Sequence, residues 1–99
     1  MDKITEEKLE KYFNVTGRAL KKAEQNLSKE TKKVDFERHA KDFLDMAQRY
    51  YSDAKHFEKK GNIVNAFAAL NYAHGWLDAG ARIGLFDVHD SELFTVDDK

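Results

Sequence analysis

Cysteine is absent from this 99-residue chain, and so is proline. The first absence excludes disulfides, thiolate metal sites and a cysteine nucleophile. The second means that no helix is broken by a residue lacking its backbone N–H, which favours a helical protein. Charge of one sign is not in excess. Lys and Arg number 17, Asp and Glu 18, and the formal net charge is −1. That balance argues against a strong electrostatic footprint for nucleic acid or an anionic membrane. No apolar run approaches the ~18 residues that would suggest a bilayer span. The opening MDKITEEKLEKYF is charged and amphipathic, unlike a secretory signal. The expectation is a soluble, cytoplasmic protein. With 41% hydrophobic and 35% charged residues, one globular domain over residues 1–99 follows, with a core of modest size.

What the chain does contain is helical periodicity. Thr5 is placed to cap a first helix, with Glu6 and Glu7 at its positive end and Ile4 and Leu9 as a hydrophobic staple. Leu9, Phe13, Thr16, Leu20, Ala23 and Leu27 follow at spacings of three and four, one seam on one face. The polar segment SKETKKVD, Ser28 to Asp35, reads as a turn ending in a cap for the second helix. Phe36, Ala40, Phe43, Ala47, Tyr50, Ala54 and Phe57 form the second seam. Gly61 suits a left-handed helix stop and Asn62 an immediate new cap, making helices two and three antiparallel neighbours. Gly84 is the next stop, with Leu85 folding back. The predicted fold is all-α: a three-helix antiparallel bundle with helices at about 5–27, 35–60 and 62–83. A short non-helical C-terminal tail, 85–99, docks on it through residues such as Phe86, Leu93 and Phe94.

The third helix is apolar around well over half its circumference. At ~100° per residue, Ile63, Ala66, Phe67, Leu70, Ala73, Leu77, Gly80, Ala81 and Gly84 make a core stripe. A second apolar face carries Ala69, Tyr72, Trp76 and Ile83, extended by Ala68 and Ala79. Such a helix is central in its fold or shared with a partner, because a surface helix needs an apolar stripe of only about 100° or somewhat more. The remaining arc is a polar ridge of Asn71, Gly75, Asp78 and Arg82, bordered by His74. Asp78 and Arg82 are spaced for an i,i+4 ion pair. Gly75 costs helix stability relative to alanine, so it marks a place where another group approaches. Gly80 and Gly84 fit close helix packing in the core.

The stretch SDAKHFEKKGNIVNAFAALNYAHGWLDAGARIGLFDV, Ser52 to Val88, resembles the signature region of a small archaeal family known as domain of unknown function 357. NYAHGWLDAG is its most specific phrase. The resemblance implies a compact helical domain of archaeal cytoplasm. It implies no activity, substrate, cofactor or catalytic residue.

Candidate chemistry is thin. His74 and Asp78 stand at a spacing that suits two metal ligands or a carboxylate orienting an imidazole. A metal site needs three or four ligands, however, and no third is specified, so no metal is assigned. The bland reading is a half-buried histidine held by a carboxylate. DVHD, Asp87 to Asp90, reads as a solvated turn before a cation site. No nucleophile motif and no phosphate loop exist, so no reaction, catalytic residue or cofactor is implied. Lys21, Lys22, Lys29, Lys32 and Lys33 do not interleave with the aromatics, which speaks against RNA.

Two functional expectations remain. The first is a non-enzymatic interaction module, self-associating or docking a protein partner through Tyr72, Trp76 and Ile83. The second is a small-ligand or metal site on the ridge of Asn71, His74, Gly75, Asp78 and Arg82. In a third, plain reading the tail covers the second face and leaves nothing to dock.

Overall fold

The computed structural model describes residues 3–27 and 34–95. Within them, α1 spans Glu6–Gln25, α2 Val34–Lys59 and α3 Ile63–Arg82. Thr5 caps α1, its hydroxyl accepting from the Lys8 N–H at 3.0 Å. Asn62 caps α3, its side-chain oxygen accepting from the Asn65 N–H at 3.4 Å. α2 begins at Val34, one residue before the Asp35 expected to precede it. The rest of the Ser28–Asp35 segment, from 28 to 33, falls outside the described residues.

The ends of α2 and α3 close alike. Gly61 has φ +76° and Gly84 φ +84°, a conformation that glycine adopts without a Cβ clash. At each end two backbone bonds wrap the last turn: Asn62 N–H to Phe57 O at 2.9 Å with Gly61 N–H to Glu58 O at 3.0 Å, and Leu85 N–H to Gly80 O at 2.8 Å with Gly84 N–H to Ala81 O at 3.2 Å. Both are Schellman motifs, which satisfy carbonyls that the helix end would leave unpaired. Leu85 is thereby turned inward and buried.

Two apolar clusters stack along the bundle. Near the α2–α3 hairpin, Leu9 of α1 meets Ala54, Ala66, Ala69 and Leu70. At the other end, Ala19 and Ala23 meet Ala40, Leu44, Ala47, Leu77 and Ala81. The start of α1 thus lies by the end of α2 and the start of α3: the helices run up, down and up. α3 packs most extensively on α2. The second cluster is completed by the tail, with Phe86, Val88, Leu93 and Phe94 all buried. Full burial of side chains of this kind contributes about 1.5–3 kcal/mol each.

The tail takes a defined route. Phe86 forms an isolated bridge with Leu27, and the Asp87 N–H donates to Asn26 O at 2.8 Å. The chain then runs back along α1, with Asp90 near Lys22 (3.7 Å) and Glu92 near Arg18 (3.5 Å). Those pairs are exposed and worth little individually. The tail therefore fills the α1–α3 side. It does not cover the second face of α3, where Tyr72 is 63% and Ile83 60% exposed. The plain reading, in which the tail hides that face, is corrected here. Its reason is the hand of the Gly84 turn together with the partners the tail finds on α1.

Candidate functional site

α3 offers two adjoining surfaces, which share Gly75 at their common edge. The first is the polar ridge, which faces a cleft of ≈ 510 Å³ between α1 and α3. Asn71, His74, Gly75 and Asp78 line one wall, Lys11, Tyr12, Val15 and Thr16 the other, and Thr95 the end. Arg82 does not line it. It borders a smaller hollow of ≈ 350 Å³ under the tail, to which His74 and Thr95 also contribute.

A chain of polar contacts forms the floor. Thr16 is 2% exposed, and its hydroxyl lies 3.4 Å from His74 Nδ1. His74 Nε2 lies 3.5 Å from Asp78 Oδ1. A proton on Nε2 suits both contacts: the Thr16 hydroxyl donates to Nδ1, and Nε2–H points to the carboxylate. Asp78 is held more tightly by the tail, accepting from Thr95 N–H at 2.8 Å and from the Thr95 hydroxyl at 3.0 Å. Asp78 therefore does not pair with Arg82 as the spacing suggested. Its carboxylate anchors the tail on α3.

The order hydroxyl, imidazole, carboxylate invites comparison with a nucleophilic triad. The geometry does not support one. Both His74 contacts are longer than the ≈ 2.6–3.2 Å typical of a nucleophile–base pair, and Thr16 is only 2% exposed where it lines the cleft. The chain ties α1, α3 and the tail together. Among the described residues, no three His, Cys, Asp or Glu side chains cluster as a metal site would require.

Gly75 and Gly80 differ sharply. A Cβ at Gly75 would meet nothing within 4 Å, so its slot is open. A Cβ at Gly80 would strike the Phe86 ring, 2.8 Å from Cδ2 and nearer still to Cε2. Of the two close approaches expected, the one at Gly80 is real, though a tail phenylalanine makes it and not a crossing helix, while exposed Gly84 has nothing within 4 Å of where its Cβ would be. Gly17 plays a similar part: an added Cβ would stand 2.6 Å from the Tyr51 hydroxyl. Burial, and secondarily Glu58, raises the phenol pKa of Tyr51 above its ordinary value.

The second surface is the outward face. Trp76 is half-buried, edge-on to Phe43 with centroids 4.9 Å apart, at the border with α2. Tyr72 stands out from the helix, stacked on Tyr50 at 5.2 Å. Ile83 is exposed, and Val64, which the sequence had not singled out, is 68% exposed. Of the cleft's lining, Lys11, Tyr12, Val15 and Thr95 were not anticipated. Thr16 carried a usable signal, since a threonine on an apolar seam must find a hydrogen-bond partner.

A family model described as "Protein of unknown function (DUF357)" matches residues 11–86. The chain belongs to this family. The match takes in most of α1 and all of α2 and α3, so the bundle itself, and not only the Ser52–Val88 stretch, is what the DUF357 family model describes. No curated protein and no solved structure matches the chain. No helix among the described residues is long and apolar enough to cross a membrane.

Proposed function

We propose that this DUF357 protein is a non-enzymatic interaction module that self-associates through the outward face of α3. One observation carries the reading. After the tail has docked, Val64, Tyr72 and Ile83 stay 60% or more exposed along α3 and its cap, no Asp, Glu, Lys or Arg lies between Ile63 and Leu77, and beyond Leu77 only Arg82 borders that face. Aligned apolar side chains with an aromatic among them have the composition of a docking surface. Trp76 and Phe43 form the strip's border with α2. The family resemblance supports a cytoplasmic, archaeal setting for such a module.

The test is an amide chemical-shift series on dilution. The reading expects changes concentrated on Val64, Ala68, Tyr72, Gly75, Ala79 and Ile83. Spectra that do not change with concentration, or change only along α1 and the tail, contradict it.

A second reading rests on the cleft. Its volume falls within the ~300–1,000 Å³ of small-molecule sites. The side chains of Lys11 and Asn71 line it without a hydrogen bond or ion pair to any described residue, and Gly75 leaves its lip open. Lys11 supplies one positive charge beside the apolar surfaces of Tyr12 and Val15, and Asp78 one negative charge on the facing wall, a fit for a small organic molecule carrying both signs, such as an amino acid. This reading expects such a metabolite to raise Tm and Lys11→Ala to abolish that shift. A broad thermal-shift screen of metabolites and metals that moves nothing removes it.

A further inference from the structure

The outward face of α3 has an internal symmetry. Its exposed positions without a charged or amide side chain are Val64, Ala68, Tyr72, Gly75, Ala79 and Ile83, with Asn65 and Arg82 on its two edges. They are spaced four, four, three, four and four, and the same order results when the helix is read backwards. At ~100° per residue all six fall within an arc of about 100°. A two-fold axis midway between Ala73 and His74 pairs Val64 with Ile83, Ala68 with Ala79, and Tyr72 with Gly75. The sizes match these pairings. Two large aliphatic side chains meet at each end, two alanines permit close approach, and the one large aromatic falls opposite the one open glycine slot.

Resting on the self-association reading, we infer that the partner is a second copy of this chain, its α3 packed antiparallel against the first, with Tyr72 of each copy seated over Gly75 of the other. In an antiparallel two-fold pair, residues at equal heights lie on opposite sides of the contact line, which is how knobs enter holes. Val64, Ala68 and Tyr72 form one i, i+4 ridge, and Gly75, Ala79 and Ile83 its neighbour. Tyr72 is propped by its stack on Tyr50, so little of its freedom remains to be lost on docking. A Cβ at Gly75 would meet only open space, so the monomer gives that glycine no packing reason. Electrostatics agree. The central strip is uncharged, and Arg82 falls opposite Asn65, so the pair brings no like charges together. An unrelated partner would have no need of a sequence that reads alike in both directions.

The strip is about 29 Å long at 1.5 Å per residue and ~10 Å wide. That is well below the ~800 Å² per partner of a standard stable interface. The pair is therefore reversible and concentration-dependent.

The absence of cysteine allows a direct test. Val64→Cys and Ile83→Cys are made singly at exposed positions, and the two purified full-length chains are oxidised alone and mixed. Antiparallel packing expects the mixture to form a disulfide dimer at least tenfold faster than either chain alone, because the two copies of one position lie too far apart to bond. Ala68→Cys mixed with Ala79→Cys should behave likewise. Gly75→Leu should weaken dimerisation at least tenfold while helicity is kept. Faster coupling of Val64→Cys to itself, or a dimer by light scattering in which no mixture couples preferentially, overturns the register and leaves self-association standing. A wild-type chain that is monomeric at every concentration, with no preferential coupling, overturns both.

Discussion

Gly75 and Gly80 stand five residues apart on one helix, and their surroundings are opposite. Gly80 faces inward and is filled: the Phe86 ring occupies the space a Cβ would need. Gly75 faces outward and is empty. Glycine costs a helix interior about 0.5–1 kcal/mol relative to alanine at either place. At Gly80 the fold itself recovers that cost, through a fully buried phenylalanine. At Gly75 nothing within the monomer does. The difference separates a face finished by folding from one that folding leaves open, and it directs the search for function to the outward side of α3.

The largest effect expected on the inward side comes from Phe86→Ala. Removing a buried phenylalanine typically costs about 3–5 kcal/mol, and here it also empties the Gly80 slot and loosens the tail. Urea unfolding measures it. A loss below about 1 kcal/mol would mean that the tail is not part of the core.

Gly80→Ala sharpens the contrast, because helix propensity and packing oppose each other. Propensity favours alanine by less than about 1 kcal/mol, whereas overpacking costs about 1–3 kcal/mol. Net destabilisation is expected. Phe86→Leu in the same chain should relieve part of it, since the added methyl and the ring contend for one space. Additive losses in the double mutant would show that the two do not meet.

Gly75→Ala should have the opposite sign. With open space around the new methyl, the helix gains about 0.5–1 kcal/mol. Unfolding measured at low concentration, where the chain is monomeric, reports this gain. Destabilisation there would mean that the slot is filled within the monomer, and the comparison would collapse.

The smallest effect concerns Tyr51, whose hydroxyl points to the Gly17 backbone and to Phe13 O at 3.5 Å. Burial first, then Glu58, raises its phenol pKa. The folded chain thus holds the proton more tightly than the unfolded chain. Its contribution is fully present below the ordinary tyrosine pKa of ~10 and is lost as pH rises through the folded value. Between about pH 8 and 11, Tyr51→Phe should lose stability less steeply than wild type. Equal slopes would contradict the assignment.

How far the fold could be read from sequence depended on how local each cause was. Thr5, Gly61, Asn62 and Gly84 act within one turn of themselves, and all four do what their chemistry implies. Asp35 has cap chemistry too, yet α2 starts one residue before it. The tail's route was not readable, since Phe86–Gly80 is a pairing across a turn and Thr95–Asp78 joins segments 17 residues apart. No period in FDVHDSELFTVDDK announces either contact. The Asn71–Arg82 ridge was found as a face of α3. Of its opposite wall on α1 only Thr16 lay on the seam read as core, while Lys11, Tyr12 and Val15 lie beside that seam, and Arg82 proved to border a different hollow. Tyr72 and Ile83 were singled out for their chemistry. Val64 was missed because it lies in the first turn of α3, where periodicity says least.

Sedimentation equilibrium of the wild-type chain over a wide concentration range, beside Ala79→Glu, tests the central claim most directly. The account predicts that the wild-type mass rises with concentration from 11.5 kDa towards twice that value, and that a glutamate opposite Ala68 in both halves of the pair holds the variant at the monomer mass. A wild-type mass that stays at 11.5 kDa throughout, or a variant that associates as readily as wild type, would contradict it.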